Sequence, residues 1–194
     1  MTDEWIACTL GELATKNGLQ TGPFGSQLTA GEYIEGDEGV PVIMPRDIEN
    51  GRINEDTIAR VSKAKADELC RHRLMRGDIL FSRRGELGRI GFVTEKEAGW
   101  LCGTGCLRAR ISERANAEYL MHFLNLQQVC QWLEEHAVGQ TMLNLNTSII
   151  AGLPLSLPPL LEQKAIADLL SAWDIAIERT LALIGAKEKR RTAM

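Results

Sequence analysis

The sequence predicts a mixed α/β (α+β) fold, in which a strand-rich domain is followed by a long C-terminal helix of the coiled-coil type. Two observations favour this class. Short apolar runs separated by glycine- and proline-containing turns fill residues 1–152. After Gln163 the chain continues without proline, and without glycine until Gly185. We therefore divide the chain into residues 1–152 and residues 153–194.

Short apolar runs bounded by turn residues predict the strands of the first part. In chain order they are residues 5–6, 40–44, 58–61, 79–82, 90–94, 100–102 and 106–111. Cap residues predict its helices, which are a helix through residue 74 capped by Ser62, a helix to about residue 136 capped by Asn116, and one turn at residues 148–152. Residues 16–36 are rich in glycine and are expected to form turns. Within them, Gly22–Gln27 should form an exposed loop in which Phe24 is buried or stacks.

The second part begins with an extended segment. Pro154, Pro158 and Pro159 forbid helix at residues 153–158, because each proline fixes φ and lacks an N–H donor. Apolar residues alternate between the prolines, which is typical of an edge strand. Glu162 then falls near the positive end of the dipole of the following helix.

The long helix carries a heptad seam, in which apolar residues are spaced alternately by four and three. The seam comprises Ile166, Leu170, Trp173, Ile177, Thr180 and Ile184, and Leu169, Ala176 and Leu183 widen it on one flank. A helix of about 30 residues would be roughly 45 Å long. Two interpretations follow: the helix packs along its own domain, or it pairs with a second long helix.

The net charge of −4 conceals an uneven distribution. Residues 60–114 contain 13 Lys and Arg against seven Asp and Glu, so this segment is about +6 and the remainder about −10. A local basic face is sufficient to follow phosphates. A basic, solvated surface without any ligand is the alternative.

Few residues suggest catalysis or a cofactor. The five cysteines are odd in number and scattered, which is typical of reduced thiols in a cytoplasmic protein, and the histidines do not complete a zinc spacing. A membrane span is not expected, because the longest uncharged stretch, residues 139–161, contains three prolines and several polar residues. Cys106 beside glycines raises the possibility of a thiol hydrolase. A structural cysteine is the alternative.

Several motifs, in their order and spacing, resemble one family. Leu153-Pro154-Leu155, Pro158-Pro159-Leu160 and Glu162-Gln163 lead into a long helix with Ile166, Leu169, Leu170 and Asp174. Earlier motifs are Trp5 with Leu10–Leu13, Gly22-Pro23-Phe24-Gly25-Ser26, Arg46-Asp47-Ile48 and Gly77-Asp78-Ile79-Leu80. Together they resemble the DNA-specificity subunit of type I restriction–modification systems, over nearly the whole chain.

The resemblance implies a DNA target-recognition domain at residues 1–152 and a conserved spacer and dimerisation helix at residues 153–194. A complete subunit of the family carries two such units, so this chain would be a half-subunit or a truncated form. It would read one half of a bipartite target without catalysis of its own. The implied partners are double-stranded DNA, methyltransferase subunits and a restriction subunit, together with a second copy of the chain. The methyltransferase subunit would bind S-adenosylmethionine, and this chain would need no cofactor.

Arginine can recognise guanine with two hydrogen bonds, and asparagine or glutamine can recognise adenine in the same way. On that basis the candidate DNA-reading residues are Arg83, Arg84 and Arg89 in one loop, Gln140, Thr141, Asn144 and Asn146 in another, and Gln27 and Arg46. Salt bridges or phosphate contacts are the alternative for the arginines, and caps or turns are the alternative for the asparagines. The candidate helix-pairing residues are Ile166, Leu170, Trp173, Ile177 and Ile184. A rival interpretation of the whole chain is a coiled-coil interaction module that does not bind DNA.

Overall fold

The structure, a computed structural model, describes residues 4–56, 58–139 and 143–192. The strands are β1 (Ile6–Thr9), β2 (Ala14–Thr21), β3 (Tyr33–Ile34), β4 (Val40–Ile43), β5 (Ile48–Glu49), β6 (Arg52–Ile53), β7 (Ala59–Val61), β8 (Ile79–Ser82), β9 (Ile90–Phe92), β10 (Leu101–Cys102), β11 (Cys106–Ile111) and β12 (Pro154–Leu157). The α-helices are α1 (Leu10–Leu13), α2 (Lys63–Glu68), α3 (Ala117–Leu124), α4 (Gln127–His136), α5 (Thr147–Ala151) and α6 (Leu160–Thr192). The predicted α+β class with a long C-terminal helix is confirmed.

An antiparallel sheet in the order β2-β11-β8-β9 forms the centre of the domain. Alternate residues of a strand point to opposite sides of the sheet. In β8 the residues on both sides are buried. Ile79 and Phe81 join a core with the helices α1, α3, α4 and α5, whereas Leu80 joins a second core on the other face. A second sheet, in the order β10-β4-β7-β3, has its own small core around Val42 and Val61. The continuous apolar run at residues 79–82 is therefore explained by burial on both sides.

The segment before α6 is tied to the N-terminus of the chain. Strand β12 pairs with β1 in antiparallel register, with Ile6 opposite Leu157 and Thr9 opposite Pro154. Leu10 N also donates to Leu153 O at 3.0 Å. The predicted edge strand is thus present, and the start of α6 is anchored to a two-stranded ribbon. The division of the chain at residue 152 stays a prediction.

Helix α6 is 33 residues long, about 50 Å. Its first turns are fixed to the domain, because the side chain of the buried Gln163 donates to Pro158 O and accepts from Asn116 N, both at 2.8 Å. Ala167 is fully buried one turn later. Farther along, His122 lies 3.3 Å from Ser171 Oγ, and Arg52 forms an ion pair of 2.7 Å with Glu178. Among the described helices, none combines the length and apolarity that crossing a bilayer requires.

Three sequence-based predictions of elements were wrong in extent. Residues 16–21 lie in strand β2 rather than in turns, and a left-handed residue, Asn17, is accommodated within the strand. The helix capped by Ser62 ends at Glu68, because the chain tightens into a 3₁₀ turn that buries His72. The helix predicted over residues 116–136 is broken between α3 and α4, where the Asn125 side chain donates to Met121 O at 2.8 Å and competes with the next turn.

Candidate nucleic-acid interface

Five loops meet at one end of the domain. They follow β2, β4, β8 and β10, and they include the region before α5. We call this end the loop end and define it as residues 22–28, 44–48, 83–89, 103–105, 137–139 and 143–146. Because β8 and β11 are antiparallel, the end of β8 and the start of β11 lie side by side there. The loop end therefore brings together the regions that hold the described candidate DNA-reading residues.

Main-chain hydrogen bonds join these loops to one another. Gly22 N donates to Cys106 O at 2.9 Å, and Gly103 N donates to Ile43 O at the same distance. Arg83 N donates to Gly105 O at 2.7 Å, and Leu145 N donates to Arg83 O at 3.0 Å. The loops therefore form one connected surface on a rigid scaffold, which is the arrangement that recognition loops require.

Arg83 and Arg84 differ in their surroundings, although they are adjacent. Arg83 is buried, and its Nε donates to Leu145 O at 3.0 Å. Burial lowers the pKa of Arg83, with a further lowering from the charge of Arg84. Arg84 is exposed, and its main chain forms a bridge with Asn144. The geometry thus favours a supporting role for Arg83 and a ligand-facing role for Arg84.

Arg89 and Arg46 lie on a neighbouring part of the loop end. Arg89 forms an ion pair with Glu86, and its Nη1 donates to Ile48 O at 3.2 Å. The side chain of Arg46 is 66% exposed and lies 3.6 Å from the carboxylate of Asp47. Asp47 is buried and accepts from Met44 N at 2.7 Å, which fixes the turn that carries Arg46; burial raises the pKa of Asp47. Arg46 is therefore the more accessible of these two arginines.

The candidate amides serve local roles in the structure. Asn146 Oδ1 accepts from Ile149 N at 2.9 Å and caps α5, so the cap interpretation is the one found. In its favoured amide orientation, Asn144 donates to Arg83 O at 3.2 Å. Gln27 Oε1 accepts from Phe24 N at 3.2 Å. Gln140 and Thr141 lie outside the described residues.

Many of the Lys and Arg side chains of residues 60–114 form hydrogen bonds or ion pairs within the domain. Arg108 is buried on the sheet and donates to the carbonyl oxygens of Arg71, Arg73 and Asn17 and to Gln20 Oε1. Other cations of the segment form ion pairs: Lys65–Glu32, Arg73–Asp67, Arg76–Glu118, Lys96–Glu55 and Arg110–Asp78. The accessible basic surface is therefore smaller than the charge count of this segment indicates.

The thiol-hydrolase interpretation is wrong for Cys106. Cys106 is fully buried in β11, and burial raises the pKa of its thiol well above the ordinary value. A thiolate nucleophile needs the opposite conditions, namely access and a lowered pKa. Within the described residues, no three His, Cys, Asp or Glu side chains are grouped so that they could hold a metal ion.

The helix seam lies beside the surface that α6 packs on the domain. The stripe that faces the domain contains Gln163, Ala167, Ser171, Asp174 and Glu178. The seam is offset from it by roughly a quarter turn, at about 100° per residue. Leu170, Trp173, Ile177 and Ile184 are 38%, 63%, 54% and 47% exposed, whereas Ile166 is partly buried against the core. Packing on the domain therefore leaves most of the seam uncovered.

Two exposed residues at or beside the loop end were not among the candidates. Phe24 is 58% exposed, and Arg71 reaches Gln27 Oε1 at 3.4 Å. The glycine- and proline-bounded motif predicted a Phe24 ring that is buried or stacks. Burial of the ring was wrong, because Phe24 is exposed, and stacking stays a prediction. Nothing in the local sequence indicated Arg71, because its position depends on the 3₁₀ turn at Cys70–His72.

The fold is that of a DNA-specificity domain, and comparison with known proteins establishes the family. The chain belongs to the type I restriction modification DNA specificity domain family, whose model matches residues 2–183. The resemblance derived from the motifs is confirmed.

Individual relatives agree with the family. A protein of Methanocaldococcus jannaschii, assigned as the specificity subunit of the type I restriction enzyme MjaX, is 28% identical over 143 residues, which are 70% of this chain and 33% of that protein. The crystal structure of the HsdS subunit from Thermoanaerobacter tengcongensis has a TM-score of 0.63 and 20% identity over 91% of this chain and 44% of its own. The type I S subunit from M. genitalium has a TM-score of 0.65 and 20% identity, over 95% and 43%. This chain thus spans a third to under half of the length of these relatives.

Proposed function

We propose that this chain is a sequence-recognition and assembly subunit that reads one half of a bipartite DNA target and has no catalysis of its own. The observation that carries the proposal is the convergence of five loops at one end of a domain whose family is defined by DNA specificity. Methylation would be performed in the cytoplasm by a separate methyltransferase subunit that binds S-adenosylmethionine. A restriction subunit would be a further partner of the same complex.

Arg84 and Arg46 are the residues best placed to contact DNA, because both are exposed at the loop end. Arg89, Asn144 and Gln27 would act mainly by holding the loops, since each is engaged by neighbouring residues. Arg83 would support the same surface from beneath. Arg84 and Arg46 would therefore touch DNA, whereas the other four residues would keep the surface rigid. Mutation can distinguish these two roles.

Arg84→Ala is expected to weaken DNA binding without lowering the thermal stability of the protein. A lost bidentate base contact would cost about 1–3 kcal/mol. A lost phosphate contact would instead reduce the slope of log affinity against log salt concentration by about one.

Arg83→Ala should weaken DNA binding and also lower the stability of the protein, because it removes the hydrogen bond to Leu145 O. Binding titrations at several salt concentrations, with thermal unfolding in parallel, measure both effects.

Arg190→Ala is the matched control, since Arg190 is an exposed arginine near the far end of α6. We expect it to change binding less than either loop variant. If the target duplex is bound equally well by wild type, Arg83→Ala and Arg84→Ala, the loop at residues 83–89 does not contribute to the interface.

We further propose that the seam of α6 pairs with a second long helix, and that a second copy of this chain can supply it. The seam spacing of four and three reads the same in both directions about residue 175. An antiparallel pair related by a two-fold axis therefore sets Trp173 against Ile177 of the second copy, and Ile166 against Ile184 of the second copy. The seam of each copy is therefore covered by the same seam of the other copy.

The charges that flank the seam favour the antiparallel arrangement. Glu162, Lys187 and Arg191 lie on the same flank when residues are placed about 100° apart around the helix. Antiparallel pairing brings Glu162 of one copy beside Lys187 and Arg191 of the other, at both ends of the helix pair. Parallel pairing would instead put both Glu162 residues at one end of the pair and the Lys187 and Arg191 residues at the other, so these opposite charges would not meet.

The proposed pair would hold two recognition domains at opposite ends of the helices, on the order of one DNA turn apart, about 34–36 Å. Two identical domains related by a two-fold axis would read a palindrome interrupted by unread bases. The exposed seam is also what a coiled-coil module without DNA binding would present. A gel-shift assay with random duplex separates the two functions, because DNA binding through phosphates weakens steeply as salt is raised.

A further inference from the structure

The loop at Gly22–Gln27 presents an aromatic ring outward from a tightly held turn. Gly22 and Pro23 are buried before it, and Leu28 is buried after it. Between them, Phe24, Gly25 and Ser26 are exposed, and Phe24 is 58% exposed. Single exposed apolar residues are common on protein surfaces, so exposure alone assigns no role to Phe24. The hydrogen bonds that hold the backbone of the turn are the second observation.

Hydrogen bonds tether the start of the turn to the domain and close the turn on itself. Thr104 Oγ1 donates to Pro23 O at 3.1 Å, and Gly22 N donates to Cys106 O at 2.9 Å. Across the turn, Gln27 N donates to Phe24 O at 2.8 Å, and the Gln27 side chain accepts from Phe24 N at 3.2 Å. Little conformational freedom of the backbone would therefore be lost if the ring bound a ligand.

The surroundings of the ring match DNA. The same Gln27 Oε1 accepts from Arg71 Nη2 at 3.4 Å, so a guanidinium group lies beside the turn. Within the loop end the turn adjoins residues 103–105, where Gly103 lies against Gly22 and Gly105 lies against Pro45. An exposed ring beside a cation, at the end that carries Arg46 and Arg84, is suited to a ligand with both apolar surfaces and phosphates.

We propose that Phe24 contacts an apolar surface of a nucleobase in the DNA target, while Arg71 faces the adjacent phosphate. This inference rests on the proposed DNA-binding function and adds a recognition residue that forms no hydrogen bond to a base. The base surface is either the 5-methyl group of thymine in the major groove or the face of a partly unstacked base. Both are apolar contacts, so neither contributes to the dependence of binding on salt.

The test uses the full chain and the duplex that the wild type enriches most strongly from a randomised pool. Phe24→Ala is expected to weaken binding to this duplex roughly tenfold, within the range measured for base–aromatic contacts. The slope of log affinity against log salt should be unchanged, because no phosphate contact is lost. The thermal midpoint should also be unchanged, because the ring is exposed. Phe24→Trp should retain most of the affinity.

Met75→Ala is the matched control. Met75 is 57% exposed, but it lies at the opposite end of the central sheet, beside Ile111. It should bind as the wild type does. Replacing thymine by uracil in the duplex identifies the contact: the effect of Phe24→Ala disappears if Phe24 touches the methyl group and persists if it touches a base face.

Two results would overturn the inference. One is binding by Phe24→Ala within twofold of wild type, and the other is a lowered thermal midpoint, which would show that the ring packs on its own domain. Enrichment of no duplex by the wild type would instead refute the proposed DNA-binding function itself. The two failures are therefore distinguishable.

Discussion

Trp173→Glu is expected to abolish self-association of this chain while leaving its domain folded. Trp173 is 63% exposed in one copy, so its replacement removes no contact that the domain needs. In the proposed antiparallel pair it lies next to the two-fold axis, and the substitution places two carboxylates in an apolar seam. Burying these charges without partners would cost on the order of 3–5 kcal/mol. The dissociation constant would rise by a factor of roughly 10² to a few times 10³.

Sedimentation over a concentration series measures this effect. Ile175→Glu is the matched control, because Ile175 is also an exposed apolar residue of α6 but lies about 200° around the helix from Trp173. It should leave the association constant nearly unchanged. A wild type that remains monomeric at high concentration, and is indistinguishable from Trp173→Glu, would exclude the homodimer. The second helix would then have to come from another polypeptide segment.

Gly22→Ala is expected to displace the loop end and to destabilise the domain by several kcal/mol. A Cβ atom at Gly22 would overlap the carbonyl oxygen of Gly103 and lie 2.6 Å from its carbonyl carbon. Both atoms belong to the backbone of a neighbouring loop, so no flexible side chain can yield. Forcing the loops apart would break the bond from Gly22 N to Cys106 O and cost at least the 1–3 kcal/mol of ordinary overpacking, about two to four in total.

Gly25→Ala is the control for this substitution. Gly25 belongs to the same turn, but a Cβ atom there would meet no atom within 4 Å. We expect its free energy of unfolding to change by less than about 0.5 kcal/mol, as for other surface substitutions. Denaturant unfolding and DNA binding of both variants are the measurements. Equal stability and equal binding of the two variants would show that the close approach of Gly22 to Gly103 does not hold the interface together.

Elements that depend on local chemistry were predictable from the sequence. The caps Ser62, Asn116 and Asn146 stand where their side-chain oxygens accept from the third residue of the helix that follows. Strand β8 was predictable because its apolar run is bounded by a Gly-Asp turn and a polar loop. The seam of α6 was predictable because a heptad spacing persists from Ile166 to Ile184, about five turns, without proline.

Elements that depend on distant partners were not predictable. Arg83 and Arg84 are identical in type and adjacent, yet Arg83 is buried because a carbonyl oxygen 62 residues farther along the chain accepts from it. In the same way, Arg108 and Arg110 add to the charge count of their segment, but Arg108 is buried against carbonyl oxygens of distant residues and Arg110 is paired with Asp78. Strand β2 contains Asn17 and Gly18, which favour turns, and its pairing with β11 outweighs that local preference.

Mapping methylated bases in cells tests the central claim most directly, which is that this chain selects the DNA sequence. The cells would express the chain together with the proposed methyltransferase subunit, and a matched strain would lack the chain. We predict methylated adenines at a single palindromic motif, split by unread bases, that is absent from the matched strain. Methylation that is the same in both strains would contradict the account.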